Sequence, residues 1–330
     1  MEYRQLGSTG LRVSAFGMGC GNFGGIGSAP EFFGQGESEA EAFQLLDRAV
    51  ELGINYLDTA DAYGGGRSET TIGKWLSTKG TDVRDRLLIS SKVANPVGEG
   101  PNQRGLSRRH VLRQVEASLS RLGVDHLDMY LVHEPDPTTP LEETLDVFDH
   151  LVRSGTVRYI GASNFSAWLM TRALWISDVG SLHRFDWIQN SFNLIDQADQ
   201  AEVLELCRDQ GLGFTPFSPL CGGWLTGKYR FEESYPDGSR MTLRPEPYLR
   251  YWNADTFAAI DRLAETASDL GVSTAGLALG WLHHHPDVTS SIVGPRRPDH
   301  FQPIEEAIGL SLSAEQWGEI GGFFTGAAGS

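Results

Sequence analysis

The chain has 330 residues, a length that suits one large α/β barrel or two medium-sized domains. Its 43 acidic and 27 basic residues give a formal net charge of −16. That charge repels nucleic-acid phosphates and acidic membrane surfaces, so we expect no nucleic-acid partner and no membrane partner.

The N-terminal segment and the cysteines indicate the compartment. Residues 1–6 lack the basic and then apolar order of a secretory signal peptide. No apolar run of the sequence approaches the roughly 18 residues that a membrane-spanning helix needs. Cys20, Cys207 and Cys221 show no metal-ligand spacing, and we expect them to be reduced. These features together predict a cytoplasmic protein.

The chain opens on a predicted β-hairpin over residues 3–13, whose turn is the segment 7–10. Short runs of apolar and β-branched residues then alternate with amphipathic segments. These runs predict strands near 15–18 and at 54–57, 87–89, 127–132, 157–160, 187–188, 213–214 and 288–293.

Two of the amphipathic segments carry clear helix signals. In residues 108–122 apolar side chains recur three or four positions apart, which gives one buried stripe. Ser107 is a good N-cap for this helix, and Gly123 ends it. A second helix of the same design is predicted over residues 140–154, with Gly155 after its end.

Alternating strands and helices predict a parallel sheet covered by helices. About eight such units in one chain of this length favour a closed (β/α)₈ TIM barrel, formed by a single domain over residues 1–330. We expect the N-terminal hairpin to plug the bottom of this barrel. The two long segments 19–36 and 220–252 are predicted loops that shape its mouth.

Polar and titratable residues stand where the predicted strands end. Asp58 follows one strand, Tyr63 lies five residues later, Lys92 ends the next strand and His133 ends the one after. The C-terminal ends of barrel strands face one shared cavity, so these four side chains are expected to meet there. Each has a structural alternative when taken alone: a helix cap, a packing residue, or a histidine bound to a backbone carbonyl.

The four residue types form a plausible acid–base group. A free phenol has a pKa of about 10, too high for easy proton exchange near neutrality. A lysine ammonium about 4 Å from Tyr63 would favour the phenolate by roughly 4 kcal/mol before desolvation offsets it. We therefore expect Lys92 to make Tyr63 more acidic, Asp58 to hold Lys92, and His133 to orient a substrate oxygen.

One segment carries a specific resemblance. Residues 53–64, Gly-Ile-Asn-Tyr-Leu-Asp-Thr-Ala-Asp-Ala-Tyr-Gly, followed by Ser68 and Glu69, resemble the signature of the aldo-keto reductases, in their bacterial branch with expanded active-site loops. The likeness extends from Tyr3 to the last predicted barrel helix. It implies a nicotinamide cofactor, a small-molecule carbonyl or alcohol substrate, and a catalytic tetrad of Asp58, Tyr63, Lys92 and His133.

The same resemblance implies which residues bind the cofactor. Residues 161–165, Gly-Ala-Ser-Asn-Phe, are similar to a family motif in which Ser163 and Asn164 bind the nicotinamide carboxamide together with Gln189. An aromatic ring stacks on nicotinamide at the position of Phe217. The implied pyrophosphate contacts are Ser218, Leu220, Gly222 and Lys228.

Residues 292–299, Ile-Val-Gly-Pro-Arg-Arg-Pro-Asp, resemble the family's adenosine-phosphate loop. Within it Gly294 and Arg296 are the implied contacts, and the guanidinium of Arg296 suits a 2′-phosphate because it binds phosphate as a fork. Relatives commonly carry Gln or Arg where this chain has His300, and Asn where it has Ile304. The resemblance thus implies NADP(H), with His300 in the cofactor set and NAD(H) not excluded.

Other interpretations stay open at this point. Barrels of this family also serve as cofactor-sensing regulatory subunits, and others use tightly bound NADP(H) for internal redox, as in epimerisation or elimination. The triplet His283–His284–His285 predicts no metal site, because adjacent side chains on a helix point in different directions. Trp224 and Trp252, with three phenylalanines of the first loop, are expected to line the substrate pocket, namely Phe23, Phe32 and Phe33.

Overall fold

A computed structural model of the protein describes residues 1–231 and 233–325. A two-stranded antiparallel hairpin comes first, formed by β1 (Tyr3–Gln5) and β2 (Arg12–Ser14). The described chain then forms a parallel eight-stranded sheet. Its strands are β3 (Phe16–Gly19), β4 (Tyr56–Asp58), β5 (Leu88–Val93), β6 (Leu127–Val132), β7 (Val157–Ser163), β8 (Trp187–Gln189), β9 (Gly213–Phe214) and β10 (Ser291–Val293).

The sheet runs in sequence order from β3 to β9, with β10 beside β3. Two backbone hydrogen bonds join the segments of β10 and β9: Thr289 N donates to Phe214 O at 2.8 Å, and Ile292 N donates to Pro216 O at 2.8 Å. These bonds bring the first and last strands of the sheet together. The predicted (β/α)₈ barrel is confirmed.

Helices connect successive strands and cover the outside of the barrel. They are α1 (Glu39–Glu51), α2 (Arg67–Ser77), α3 (Thr81–Arg84), α4 (Arg108–Leu122), α5 (Leu141–Arg153), α6 (Ala167–Gly180), α7 (Ala201–Gln210), α8 (Arg240–Leu243), α9 (Ala254–Asp269), α10 (Thr274–His283), α11 (Gln302–Gly309) and α12 (Ala314–Gly322). The signals at α4 are confirmed: the Ser107 side chain accepts from His110 N, and Gly123 takes the left-handed conformation that ends the helix.

Some predicted strand bounds were wrong. The strand predicted at 54–57 begins only at Tyr56, because Asn55 is bound to Ser14 of the hairpin. The backbone N of Asn55 donates to Ser14 Oγ, and its Oδ1 accepts from Ser14 N. The strand predicted at 157–160 extends to Ser163. The predicted loop 220–252 contains α8 and two 3₁₀ helices, Cys221–Thr226 and Glu246–Tyr251.

The hairpin closes the N-terminal end of the barrel, as predicted. Leu6 and Val13 are fully buried and pack among inward-facing barrel residues that include Met129 and Trp187. The backbone N of Ser8 donates to the carbonyl of Gly211, just before β9, at 2.8 Å. The open end of the barrel, where the strands finish, is therefore the place for a binding site.

Gly7 is expected to be essential for this closure. Its φ is +54°, and a Cβ there would lie 2.5 Å from the carbonyl oxygen of Gly211. We expect Gly7→Ala to lower the free energy of unfolding by about 2–4 kcal/mol, measured by urea denaturation. Gly10→Ala is the matched control in the same turn, because a Cβ there meets nothing within 4 Å. Equal stability of the two variants would show that the hairpin does not depend on this contact.

Candidate active site

The four residues predicted to form an acid–base group lie together at the open end of the barrel. Asp58 is the last residue of β4, and Tyr63 begins a 3₁₀ turn, Tyr63–Gly65, that follows it. Lys92 is in the last part of β5, and His133 comes directly after β6. Neighbouring parallel strands therefore bring together side chains that are 75 positions apart in sequence.

Lys92 is the centre of this group. Its Nζ donates to Asp58 Oδ2 at 2.5 Å, to the carbonyl oxygen of Thr59 at 3.0 Å and to Tyr63 Oη at 3.3 Å. Tyr63 Oη lies 3.4 Å from His133 Nε2. The Lys92 side chain is 0% exposed, so its charge acts on the phenol with little screening by water.

Asn95 fixes the proton on His133. Its side-chain Nδ2 lies 3.2 Å from His133 Nδ1 and 3.2 Å from Ser28 Oγ. An amide NH₂ group can only donate, so Nδ1 is the acceptor and the neutral imidazole carries its proton on Nε2. That N–H points toward Tyr63. Asn95 was not among the predicted site residues, although it follows β5 by two residues and so lies at the strand ends.

Gln189 ties the group to the opposite wall of the barrel. Its Nε2 donates to Asp58 Oδ1 at 2.9 Å, and Ser163 Oγ donates to the Gln189 carbonyl oxygen at 2.6 Å. Asn164, which has a positive φ of 61°, donates from Nδ2 to the His133 carbonyl oxygen at 2.9 Å. These bonds fix three polar side chains beside Asp58 and His133.

The pKa of Tyr63 corrects one expectation. Burial raises the pKa of this phenol above its ordinary value of 10.0, while the Lys92 ammonium lowers it and the Asp58 carboxylate raises it. Lys92 thus acts in the predicted direction, but the predicted net acidification was wrong because burial of the phenol outweighs it. The phenol keeps its proton at neutral pH.

The charge states of the other members follow from the same burial. Burial lowers the pKa of Lys92, but the Asp58 carboxylate more than offsets this, and the pKa lies above its ordinary value of 10.5. Burial, and then the Lys92 charge, hold the pKa of His133 well below its ordinary value of 6.5. At neutral pH the group therefore consists of a neutral phenol, a neutral imidazole and an ammonium–carboxylate pair.

A cavity of about 1100 Å³ opens above this group. Asp58, Tyr63 and His133 line it, and Lys92 lies buried behind them. All residues predicted to contact a cofactor also line it, and these are Ser163, Asn164, Gln189, Phe217, Ser218, Leu220, Gly222, Lys228, Gly294, Arg296 and His300. The structure thus brings the two predicted sets into one site.

The cavity is polarised along its length. Amide and hydroxyl groups surround Tyr63 at one end, and cationic side chains gather at the other, namely Lys228, Arg240, Arg296 and Arg297. Burial, and then Arg296, Arg240 and Arg297, lower the pKa of Lys228, which shows how closely these cations are grouped. A cluster of this kind suits a ligand with several phosphate charges.

The donor set fits a nicotinamide dinucleotide. The cavity volume lies slightly above the range usual for ligand pockets. Phe217 also lines the cavity. In sequence it lies between Gln189, at the polar end, and Lys228, at the cationic end. A Cβ at Gly21 would lie 3.5 Å from the Tyr63 ring, so the glycine leaves the space beside the phenol open.

The sequence matches the family model for aldo/keto reductases over residues 17–323. The chain belongs to the aldo/keto reductase family. Members of this family generally carry out NADP-dependent carbonyl reduction, and the chain is an NAD(P)H-dependent oxidoreductase. No helix within residues 1–231 and 233–325 has the length and apolar character needed to cross a membrane.

Named relatives of this aldo/keto reductase have several roles. It is 34% identical to the uncharacterized oxidoreductase YrpG of Bacillus subtilis, over 100% of this chain and 98% of the relative. It is 33% identical to versiconal hemiacetal acetate reductase of Aspergillus parasiticus, over 96% and 95% of the two chains. It is also 34% identical to a probable voltage-gated potassium channel subunit beta of Arabidopsis thaliana, over 93% and 91%.

The expected role of two tryptophans in this aldo/keto reductase was wrong. Trp224 is fully buried, with its ring 5.8 Å from Tyr251 and 5.6 Å from Trp252. Among the described residues that line the cavity, several come from the segment 220–252, Arg240 and Tyr248 among them, but neither tryptophan does. Spacing in the sequence could not show whether these tryptophans line the cavity or pack in the interior. Both positions are compatible with an aromatic residue in a segment rich in Gly and Pro.

Proposed function

We propose that this enzyme interconverts an aldehyde or ketone and the corresponding alcohol, with Tyr63 as the proton donor and acceptor. The observation that carries the proposal is the position of Tyr63 Oη, 3.3 Å from Lys92 Nζ and 3.4 Å from His133 Nε2 at the wall of the cavity. A substrate oxygen beside Tyr63 would therefore be close to a proton donor and to a second hydrogen-bond donor, His133. Lys92 supplies the cation that stabilises the anion of Tyr63.

The proton transfer follows from the charge states. When bound, the reduced nicotinamide supplies the hydride that reaches the carbonyl carbon. Tyr63 Oη gives its proton to the carbonyl oxygen, and the phenolate left behind is stabilised by the Lys92 ammonium. Asp58 keeps Lys92 charged and in place through the 2.5 Å ion pair. In alcohol oxidation the phenolate takes the proton back.

His133 has a positioning role in this proposal. Its Nε2–H donates to the substrate oxygen, and the neighbouring bond from Asn95 favours this tautomer. Because its pKa lies well below 6.5, the ring stays neutral and does not compete with Tyr63 as an acid. The substrate oxygen is then held between two neutral donors beside one buried cation.

The cofactor in this proposal is NADP(H), with NAD(H) not excluded. Ser163, Asn164 and Gln189 would hold the nicotinamide carboxamide, and the ring of Phe217 would stack on the nicotinamide. The pyrophosphate would lie along Ser218, Leu220, Gly222 and Lys228. Gly294, Arg296 and His300 would hold the adenosine end, where the cationic side chains gather.

A substrate screen tests the proposal. Purified enzyme is incubated with NADPH and, separately, NADH, together with a panel of aldehydes, ketones and sugar-derived ketones, and absorbance of the reduced cofactor is followed. The reverse direction uses alcohols and sugars with the oxidised cofactors. We expect multiple turnovers with at least one carbonyl compound. Failure of every carbonyl and every alcohol to turn over would contradict the proposal.

The pH dependence should differ between the two directions. Since the pKa of Tyr63 lies above 10.0, the phenol is protonated from about pH 6 to about pH 9, and the rate constant for reduction should be constant there. Oxidation needs the phenolate, so its rate constant should rise about tenfold per pH unit across the same range. Single-turnover measurements give both profiles. A midpoint within this pH range in reduction would contradict the proposal, because the pKa of Tyr63 lies above the range and that of His133 lies well below 6.5.

The similarity to the Arabidopsis channel subunit favours a second candidate function, a regulatory subunit that senses the cofactor. In that role the protein would bind NADPH and assemble with another protein, and carbonyl reduction would be slow or would stop after one turnover. Stopped-flow mixing of the NADPH-loaded enzyme with the aldehyde panel separates the two functions. Repeated turnover supports the reductase, whereas a single slow oxidation supports the regulatory subunit.

A further inference from the structure

Glu37 is an acidic residue in the wall of the cavity that the mechanism does not use. It lies between β3 and α1 and directly precedes Ser38, the N-cap of α1. Its backbone N donates to the Asn22 carbonyl oxygen at 3.0 Å, and its carbonyl oxygen accepts from Gly24 N at 3.2 Å. The side chain is 4% exposed, so its position is well fixed.

The two carboxylate oxygens of Glu37 have different surroundings. Oε1 accepts from Arg296 Nε at 2.7 Å. Oε2 is buried and has no hydrogen-bond partner within the described residues. An unpaired buried acceptor is costly, and buried polar atoms are usually paired with protein, water or a ligand. Oε2 therefore lacks a hydrogen-bond donor, and Glu37 is one of the residues that line the ligand cavity.

Arg296 identifies the part of the ligand that lies near Glu37. It belongs to the loop after β10 and lies with Arg240, Arg297 and Lys228 at the cationic end of the cavity. In the proposed function this end receives the adenosine ribose with its 2′ substituent. The 2′ substituent is a hydroxyl in NAD(H), which donates a hydrogen bond, and a phosphate in NADP(H), which carries negative charge.

We propose that Glu37 determines cofactor selectivity, by accepting a hydrogen bond from the ribose hydroxyl of NAD(H) at Oε2 and by opposing the charge of the 2′-phosphate of NADP(H). This inference rests on the proposed function, because it requires a nicotinamide dinucleotide in the cavity. Arg296 attracts the 2′-phosphate, and the paired Glu37 carboxylate cancels part of that attraction. The native enzyme should therefore bind NADH within about tenfold of NADPH.

The test compares dissociation constants for NADPH and NADH, measured by quenching of tryptophan fluorescence. Glu37→Gln keeps the shape of the side chain and an acceptor for Arg296 but removes the charge. Glu39→Gln is the matched control: it removes the same charge two residues away, where the exposed carboxylate pairs with Lys74 outside the cavity lining. Steady-state kcat/KM with both cofactors is measured in parallel.

We expect Glu37→Gln to raise the preference for NADPH over NADH by about tenfold or more, through tighter NADPH and weaker NADH, while Glu39→Gln stays within about twofold of the native ratio. Glu37→Ala should move the ratio in the same direction. An unchanged ratio in Glu37→Gln, or an equal weakening of both cofactors in Glu37→Ala, would overturn the inference, the latter by showing a purely structural role.

The inference and the proposed function can fail separately. If neither cofactor supports turnover of any substrate, but Glu37→Gln still shifts the ratio of dissociation constants, the reductase proposal fails and the role of Glu37 stands. If the native enzyme reduces carbonyl compounds and Glu37→Gln leaves the ratio of dissociation constants unchanged, the role of Glu37 fails alone.

Discussion

Tyr63→Phe is expected to lower the rate constant for carbonyl reduction by about 10³-fold, while the dissociation constant for NADPH stays within about threefold of the native value. The variant loses only the hydroxyl that gives the proton, and the ring still packs edge-on against His133, with centroids 5.3 Å apart. Single-turnover oxidation of NADPH by the best carbonyl substrate measures the rate constant, and fluorescence titration measures binding.

Tyr56→Phe provides the matched control for this prediction. Tyr56 belongs to the same buried network, with its hydroxyl 3.4 Å from Asp58 Oδ1, but it is absent from the cavity lining of the described residues. Loss of the Tyr56 hydroxyl should lower the rate constant for carbonyl reduction by less than about tenfold. If the two variants had similar rates, Tyr63 would matter as a buried hydroxyl and not as the proton donor.

Lys92→Met is the second large effect that we expect. The phenolate formed in reduction loses its only fully buried neighbouring cation among the described residues, so the rate constant should fall by about 10²-fold or more. The free energy of unfolding should also fall, by about 3–5 kcal/mol, because Asp58 remains buried without its partner. Urea denaturation and single-turnover kinetics measure the two losses.

The double variant Asp58→Asn/Lys92→Met separates the two losses. With both charges of the buried pair removed, no carboxylate is left without a partner, so most of the lost stability should return. The rate constant should stay low, because the ammonium beside Tyr63 is still missing. Recovery of activity together with stability would show that Lys92 acts only by maintaining the fold.

Much of the fold could be predicted from sequence because local patterns determine it. The strand Leu127–Val132 and the helix Arg108–Leu122 have the bounds expected from apolar spacing and from their capping residues. The joint position of the four predicted acid–base residues follows from the same patterns, because C-terminal ends of neighbouring parallel strands face one cavity.

Features that depend on tertiary burial could not be predicted. The pKa of Tyr63 depends on how far the folded barrel buries the phenol and on the charges placed beside it, which no spacing reveals. Glu37 and Arg296 are 259 positions apart in sequence, so their ion pair appears only when the loops after β3 and β10 meet. Trp224 lies in a 3₁₀ helix of the segment 220–252 and packs against Tyr251, a contact that no spacing in the sequence reveals.

The central claim is that the Lys92 ammonium stabilises the anion of Tyr63, and titration of Tyr63 tests it most directly. A fluorinated tyrosine at position 63, whose phenol is intrinsically more acidic, can be titrated by ¹⁹F NMR within the stable pH range of the fold. We predict that Lys92→Met raises the pKa of this phenol by at least about one unit. The variant removes the ammonium that lowers the pKa, while burial and Asp58, which raise it, remain. Equal pKa values with and without Lys92, or a lower value in Lys92→Met, would contradict the account.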